Sequence, residues 1–201
     1  MLSNDFTPEE RDLLCQKDFF RIKANIVQKW MTRLEAVQTQ IAHQQDPLWP
    51  EPWQDAGYRI SRGERYQGCP YAVADGPAVF EKEDILAYRI ICRWGEDTAF
   101  TLLVKGRYWT RFRACIENGL NEGFDNLSKV FLAVGESPWE HHFGQYNYQP
   151  LTGSMLNEQH YWERNFCKLA IRQKCDASFE ELQRKALDSL QFYLKLLYGP
   201  T

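Results

Sequence analysis

The order of hydrophobic periodicities along the chain predicts an α+β fold, with a single antiparallel sheet packed by a long N-terminal helix and a C-terminal helix. Three observations carry this expectation. Apolar residues recur every three or four positions at both ends of the chain, they alternate with polar residues through the middle, and the two kinds of segment are segregated. Interleaved segments would have argued for a wound parallel sheet. The alternating segments amount to about five or six strands.

The first helix opens at Thr7-Pro8-Glu9-Glu10, where threonine and the second glutamate form a capping box and proline takes the first helical position. A break near Asp18 separates it from a long amphipathic helix, in which Ile22, Ile26, Trp30, Leu34, Val37 and Ile41 trace one stripe. The stripe is too short for a coiled coil and is expected on the core. Residues 1–44 form this helical segment. Residues 45–57 follow as a strap: Pro47, Pro50 and Pro52 oppose helix, while Trp49 and Trp53 can tuck the connector down.

Residues 58–175 are strand-rich. Tyr58 to Ser61 and Tyr71 to Ala74 read as strands, broken by Gly63, Gly68 and an Asp75-Gly76-Pro77 turn. Ile85 to Trp94 and Ala99 to Lys105 read as a hairpin about Gly95-Glu96-Asp97-Thr98. On its first strand Leu86, Tyr88, Ile90, Cys92 and Trp94 form a core face. Ile85, Ala87, Arg89, Ile91 and Arg93 form a mixed face of a kind that can cover a groove. Arg107 to Glu117 fits helix or strand, with helix preferred and Asn118-Gly119 as its end. Leu127 to Val134 is a near-continuous apolar run, expected as a central strand, and Phe166 to Lys174 alternates Cys167, Leu169 and Ile171 against Lys168, Arg172 and Lys174. Residues 178–198 form the last helix, capped by Ser178 and Glu181, striped by Phe179, Leu182, Ala186, Leu190, Tyr193 and Leu197, and stopped by Gly199-Pro200.

Residues 1–201, 44% hydrophobic and 25% charged, fit one domain with one core. No apolar run reaches the ~18 residues of a membrane span, and the acidic start does not resemble a signal peptide. A cytoplasmic protein without a membrane partner is expected. The six cysteines lack a CxxC pair and are expected to be reduced. Residues 58–113 hold ten Lys/Arg against seven Asp/Glu, an excess too small for a nucleic-acid partner yet compatible with a small anionic ligand. No sequence feature specifies an oligomeric state.

The stretch SPWEHHFGQYNY, Ser137 to Tyr148, is the candidate site. Ser137-Pro138-Trp139-Glu140 repeats the grammar of the first helix start, which predicts His141 and His142 in the first turn of a short helix. Adjacent helical residues diverge by about 100°, so the pair is poorly placed to share a metal, and neither a metal nor a cofactor is expected. One histidine could move protons as a catalytic residue, since its ordinary pKa is about 6.5; His142, beside Phe143, is preferred over His141. A helix start there could also hold an anion. His43, at a helix end, is expected only to favour the helix dipole, and His160 lies in a polar segment. Expected ligand-binding residues are Arg62, Arg65, Tyr66, Arg89, Arg93 and Trp139, with Arg59 nearby. Dinucleotide, P-loop and hydrolase motifs are missing. The functional expectation is a small-molecule-binding domain for an anionic or aromatic ligand. The alternatives are an enzyme using one histidine in the same cavity, and a protein-interaction scaffold.

Overall fold

Segregated periodicities fold into segregated layers. The computed structural model describes residues 5–44, 49–122 and 129–198. Helix α1 (Pro8–Cys15) begins at the predicted capping box: Thr7 Oγ1 accepts the Glu10 amide and the Glu10 carboxylate accepts the Thr7 amide. Helix α2 (Phe19–His43) follows a break at Asp18, buries Trp30, Leu34, Val37 and Ile41, and leaves Ile22 exposed. His43 lies in its last turn.

Pro47 lies outside the described residues. Pro50 and Pro52 do not oppose helix as expected, because a helix start has no amide to lose. The short helix α3 (Glu51–Gln54) carries Pro52 in its first turn. Trp53 is fully buried, its indole donates to Leu86 O, and Trp49 packs edge-on against it.

The sheet has seven antiparallel strands, one or two more than the count from sequence. They are β1 (Gly57–Tyr66), β2 (Cys69–Phe80), β3 (Ile85–Arg93), β4 (Asp97–Lys105), β5 (Val130–Ala133), β6 (Tyr148–Pro150) and β7 (Phe166–Lys174). Their order is β1-β2-β3-β4-β7-β5-β6. Three sequence expectations change here. The apolar run ending at Val134 is not a central strand, because β5 lies between β7 and the edge strand β6. Gly63 lies within β1, and Asp75-Gly76-Pro77 is a bulge inside β2, where the register with both neighbours shifts, rather than a turn between strands. Gly76 sits at φ +151°, where an added Cβ would meet the Tyr58 ring.

Helix α4 (Arg107–Asn121) takes the helical option for its segment and runs past Asn118-Gly119. Two short turns, α5 (Gly153–Leu156) and α6 (Gln159–Trp162), precede β7. Helix α7 (Phe179–Tyr198) starts at the Ser178–Glu181 capping box; its predicted stop, Gly199-Pro200, lies outside the described residues. Helices α2, α4 and α7 cover one face of the sheet, where Leu86, Tyr88, Phe100, Leu102, Leu169 and Ile171 meet Leu34, Ile116 and Leu190. Leu190 is 2% exposed. Leu190→Ala should therefore destabilise the fold by ~2–5 kcal/mol, the range for large-to-small core changes. A thermal melt unchanged within error would remove α7 from the core.

All six cysteines are unpaired, with Cys92 and Cys167 buried as small apolar side chains. Among the described residues no helix is long and apolar enough to cross a membrane, and no group of three or more His, Cys, Asp or Glu is placed to hold a metal ion.

Candidate functional site

The other sheet face is covered by chain rather than by helix. Strand alternation puts Asp75, Arg89, Arg93, Asp97, Thr101, Lys168 and Arg172 on this face. The antiparallel register sets Asp75 opposite Arg89, Arg89 opposite Thr101, and Thr101 opposite Ala170. Small side chains at Ala87, Ala99, Thr101 and Ala170 keep the face low, and residues 134–147 cross it. Phe143 is the apolar anchor of that crossing. Its ring lies 5.0 Å from Phe131 and 4.7 Å from Tyr148, and the Arg93 and Arg172 guanidiniums lie over it at 5.6 and 5.3 Å.

The helix expected after Ser137 does not form. Tertiary partners take the backbone groups a helix would have paired: Lys168 Nζ bonds the carbonyls of Pro138 and Glu140 at 2.8 and 2.7 Å, and Tyr66 Oη accepts the amides of His141 and His142 at 2.6 and 2.9 Å. Ser137 Oγ accepts the Trp139 amide two residues on, which is a local turn rather than a helix cap. With no helix there is no helix N-terminus for an anion, and that expectation falls with it.

The two histidines part company. His141 is 8% exposed, with Nδ1 3.1 Å from Lys168 Nζ and Nε2 3.2 Å from Arg89 Nη1. Burial first, and then its basic neighbours, push its pKa down to about 2. Burial also holds Lys168, itself 1% exposed, well below the ordinary lysine value. His142, preferred from the sequence, lies at the margin: Nδ1 accepts the Gly144 amide, and Nε2 is 3.8 Å from the Glu140 carboxylate. His160 is exposed on α6, away from this face.

Of the arginines singled out in the sequence, Arg89 and Arg93 belong to the cluster, whereas Arg62 and Arg65 are exposed on the edge strand β1 and stand apart from it. Arg89 donates from Nε and Nη2 to both oxygens of Asp75, at 2.5 and 3.1 Å. Arg93 is held by Asp97. Tyr66 joins through the two amides and donates to Glu140 at 3.2 Å. Asp75, Asp97 and Lys168 were missed as site residues. The available signal was Lys168, a charge within the otherwise apolar FCKLAI.

Beside the cluster a cleft of about 330 Å³ opens at the β2 bulge, lined by Gly57, Tyr58, Arg59, Ala78 and the Asp75–Arg89 pair, with Phe80 and Trp139 as walls. The Arg89 guanidinium lies 5.7 Å from the Phe80 ring and 5.9 Å from Trp139, whose rings are 6.4 Å apart. Both rings are roughly half exposed, at 44% and 49%. No family model, curated protein or solved structure matches the chain significantly.

Proposed function

We propose that this cleft binds a small planar organic anion, such as an aryl carboxylate or aryl phosphate. The observation that carries the reading is Arg89. It is fixed bidentately by Asp75 and flanked by two exposed aromatic rings at the floor of an open cleft. A guanidinium has five N–H donors. Asp75 and His141 engage three, leaving two for ligand oxygen. Arg59 at the rim supplies charge that Asp75 does not neutralise, and Phe80 and Trp139 offer faces on which a planar ligand can stack. The enzymatic reading draws less support, because His141 is engaged at both ring nitrogens and His142, the histidine preferred from the sequence, accepts the Gly144 amide at Nδ1 and does not line the cleft.

Arg59→Ala and Trp139→Ala test this while keeping both members of the Arg89–Asp75 pair in the chain. Titration with benzoate, naphthoate and phenyl phosphate, followed by ligand-observed NMR, should show binding that each substitution weakens by about tenfold or more. Equal binding by both variants, or no binding by any of the three probes, would sink the proposal.

A further inference from the structure

The hydrogen bonds around Lys168 admit one arrangement of protons. Arginine donates and cannot accept, so His141 Nε2, facing Arg89 Nη1 at 3.2 Å, is the acceptor of the ring. Neutral imidazole has one donor and one acceptor, so Nδ1 carries the proton. That N–H faces Lys168 Nζ at 3.1 Å, which can accept it only through the lone pair of an uncharged amine. The two hydrogens of the amine then meet the carbonyls of Pro138 and Glu140. Each contact of Lys168 Nζ and of the His141 ring then pairs a donor with an acceptor.

One added proton spoils it wherever it goes. On Lys168, with the ring unchanged, ammonium faces Nδ1–H. If the ring proton shifts to Nε2 to relieve that contact, Nε2–H faces Arg89. On His141, imidazolium again puts Nε2–H against Arg89. One of the two contacts becomes donor against donor in each case. We propose that Lys168 and His141 form a proton-operated latch, which holds residues 137–142 on the sheet while both are uncharged and releases them when the pair is protonated.

Among the charged and titratable groups facing the pair, only Arg89 is hydrogen-bonded to the ring or the amine. Arg89 and Arg93 of β3 are basic, and their counter-ions, Asp75 of β2 and Asp97 of β4, are engaged by them. Tyr66 of β1 already accepts two amides, and Glu140 on the loop accepts from Tyr66. The Tyr148 ring of β6 lies 5.3 Å from Lys168 Nζ, His142 adjoins His141 on the loop, and Arg172 of β7 lies over Phe143. Release is confined to the middle of the crossing. Its ends stay tied by Arg164, which donates to Ala133 O and Gly135 O, and by the Asn147 carbonyl, which accepts the Val134 and Gly135 amides.

The direction with pH follows from proton counting. Both bases have lowered pKa values when latched, so the released loop binds more protons and acid favours release. The lysine acts below its ordinary 10.5, and the histidine adds its share as pH falls through 6.5 toward about 2. Below about pH 6 the released fraction should therefore rise by about a hundredfold per pH unit, two protons being taken up.

Trp139 rides on the latched segment and reports its release, with no ligand needed, so this test is separate from that of the cleft. In protein labelled with 5-fluorotryptophan, the Trp139 ¹⁹F resonance, assigned with Trp139→Phe, should shift toward its solvent-exposed position between pH 7.5 and 4.5 while the Trp53 resonance stays put. The Lys168 ¹⁵Nζ resonance at pH 7.5 should be that of an amine. His141→Gln keeps an acceptor for Arg89 and a donor for Lys168 but cannot titrate, and should reduce the slope to about tenfold per unit. An ammonium at Lys168, an invariant Trp139, a Trp139 that moves only when Trp53 does, or an unchanged slope in His141→Gln would each overturn the latch.

Discussion

Asp97→Ala should destabilise the protein by about 3–5 kcal/mol, the range for removing one partner of a buried ion pair. Its Arg93 side chain is 3% exposed, and Asp97 Oδ1 accepts from both Nε and Nη2. Arg93 Nη1 already lacks a partner among the described residues, so losing Asp97 leaves a buried guanidinium with no counter-ion. The double replacement Arg93→Met with Asp97→Leu should recover most of the loss, because it removes both charges and keeps their volume. Urea denaturation of the two variants checks this, and a single variant within about 1 kcal/mol of the parent would contradict it. Burial raises the Asp97 carboxyl above its ordinary value despite the arginine beside it. An acid raised in the folded state loses its contribution as pH rises, so Asp97 adds no acid sensitivity of its own to this face.

Trp53→Ala should destabilise by a similar ~3–5 kcal/mol, although the residue lies in a proline-rich connector. Its indole is fully buried, donates to Leu86 O at 3.0 Å and touches Trp49. Trp53→Phe should recover part of the loss by refilling the space without the N–H. Equilibrium unfolding separates the outcomes: an alanine variant as stable as its parent would mean that the strap is surface decoration.

The helices, the hairpin and the strap were legible because their signals are local. Thr7 with Glu10 and Ser178 with Glu181 satisfy backbone donors within one turn, and the stripe through Trp30, Leu34, Val37 and Ile41 needs only a helical period to face one way. The mixed face of Arg89 and Arg93 was legible as a pattern too. Asp97, four residues from Arg93 across the hairpin turn, was within local reach as well, whereas Asp75 and Lys168 come from β2 and β7, and which strands pair is set by contacts far apart in the chain. Ser137-Pro138-Trp139-Glu140 shows the same limit most clearly. Its local grammar matches that of Thr7-Pro8-Glu9-Glu10, yet one folds as a helix and the other does not. A cap is worth about 1 kcal/mol, and a buried amine about thirty residues away, whose hydrogen bonds would otherwise go unmet, demands more than that. Local sequence therefore determined which segments had a regular structure available to them. Only the tertiary fold decided that Lys168 and Tyr66 would claim the backbone of residues 138–142, and that His141 rather than His142 would be drawn beneath it.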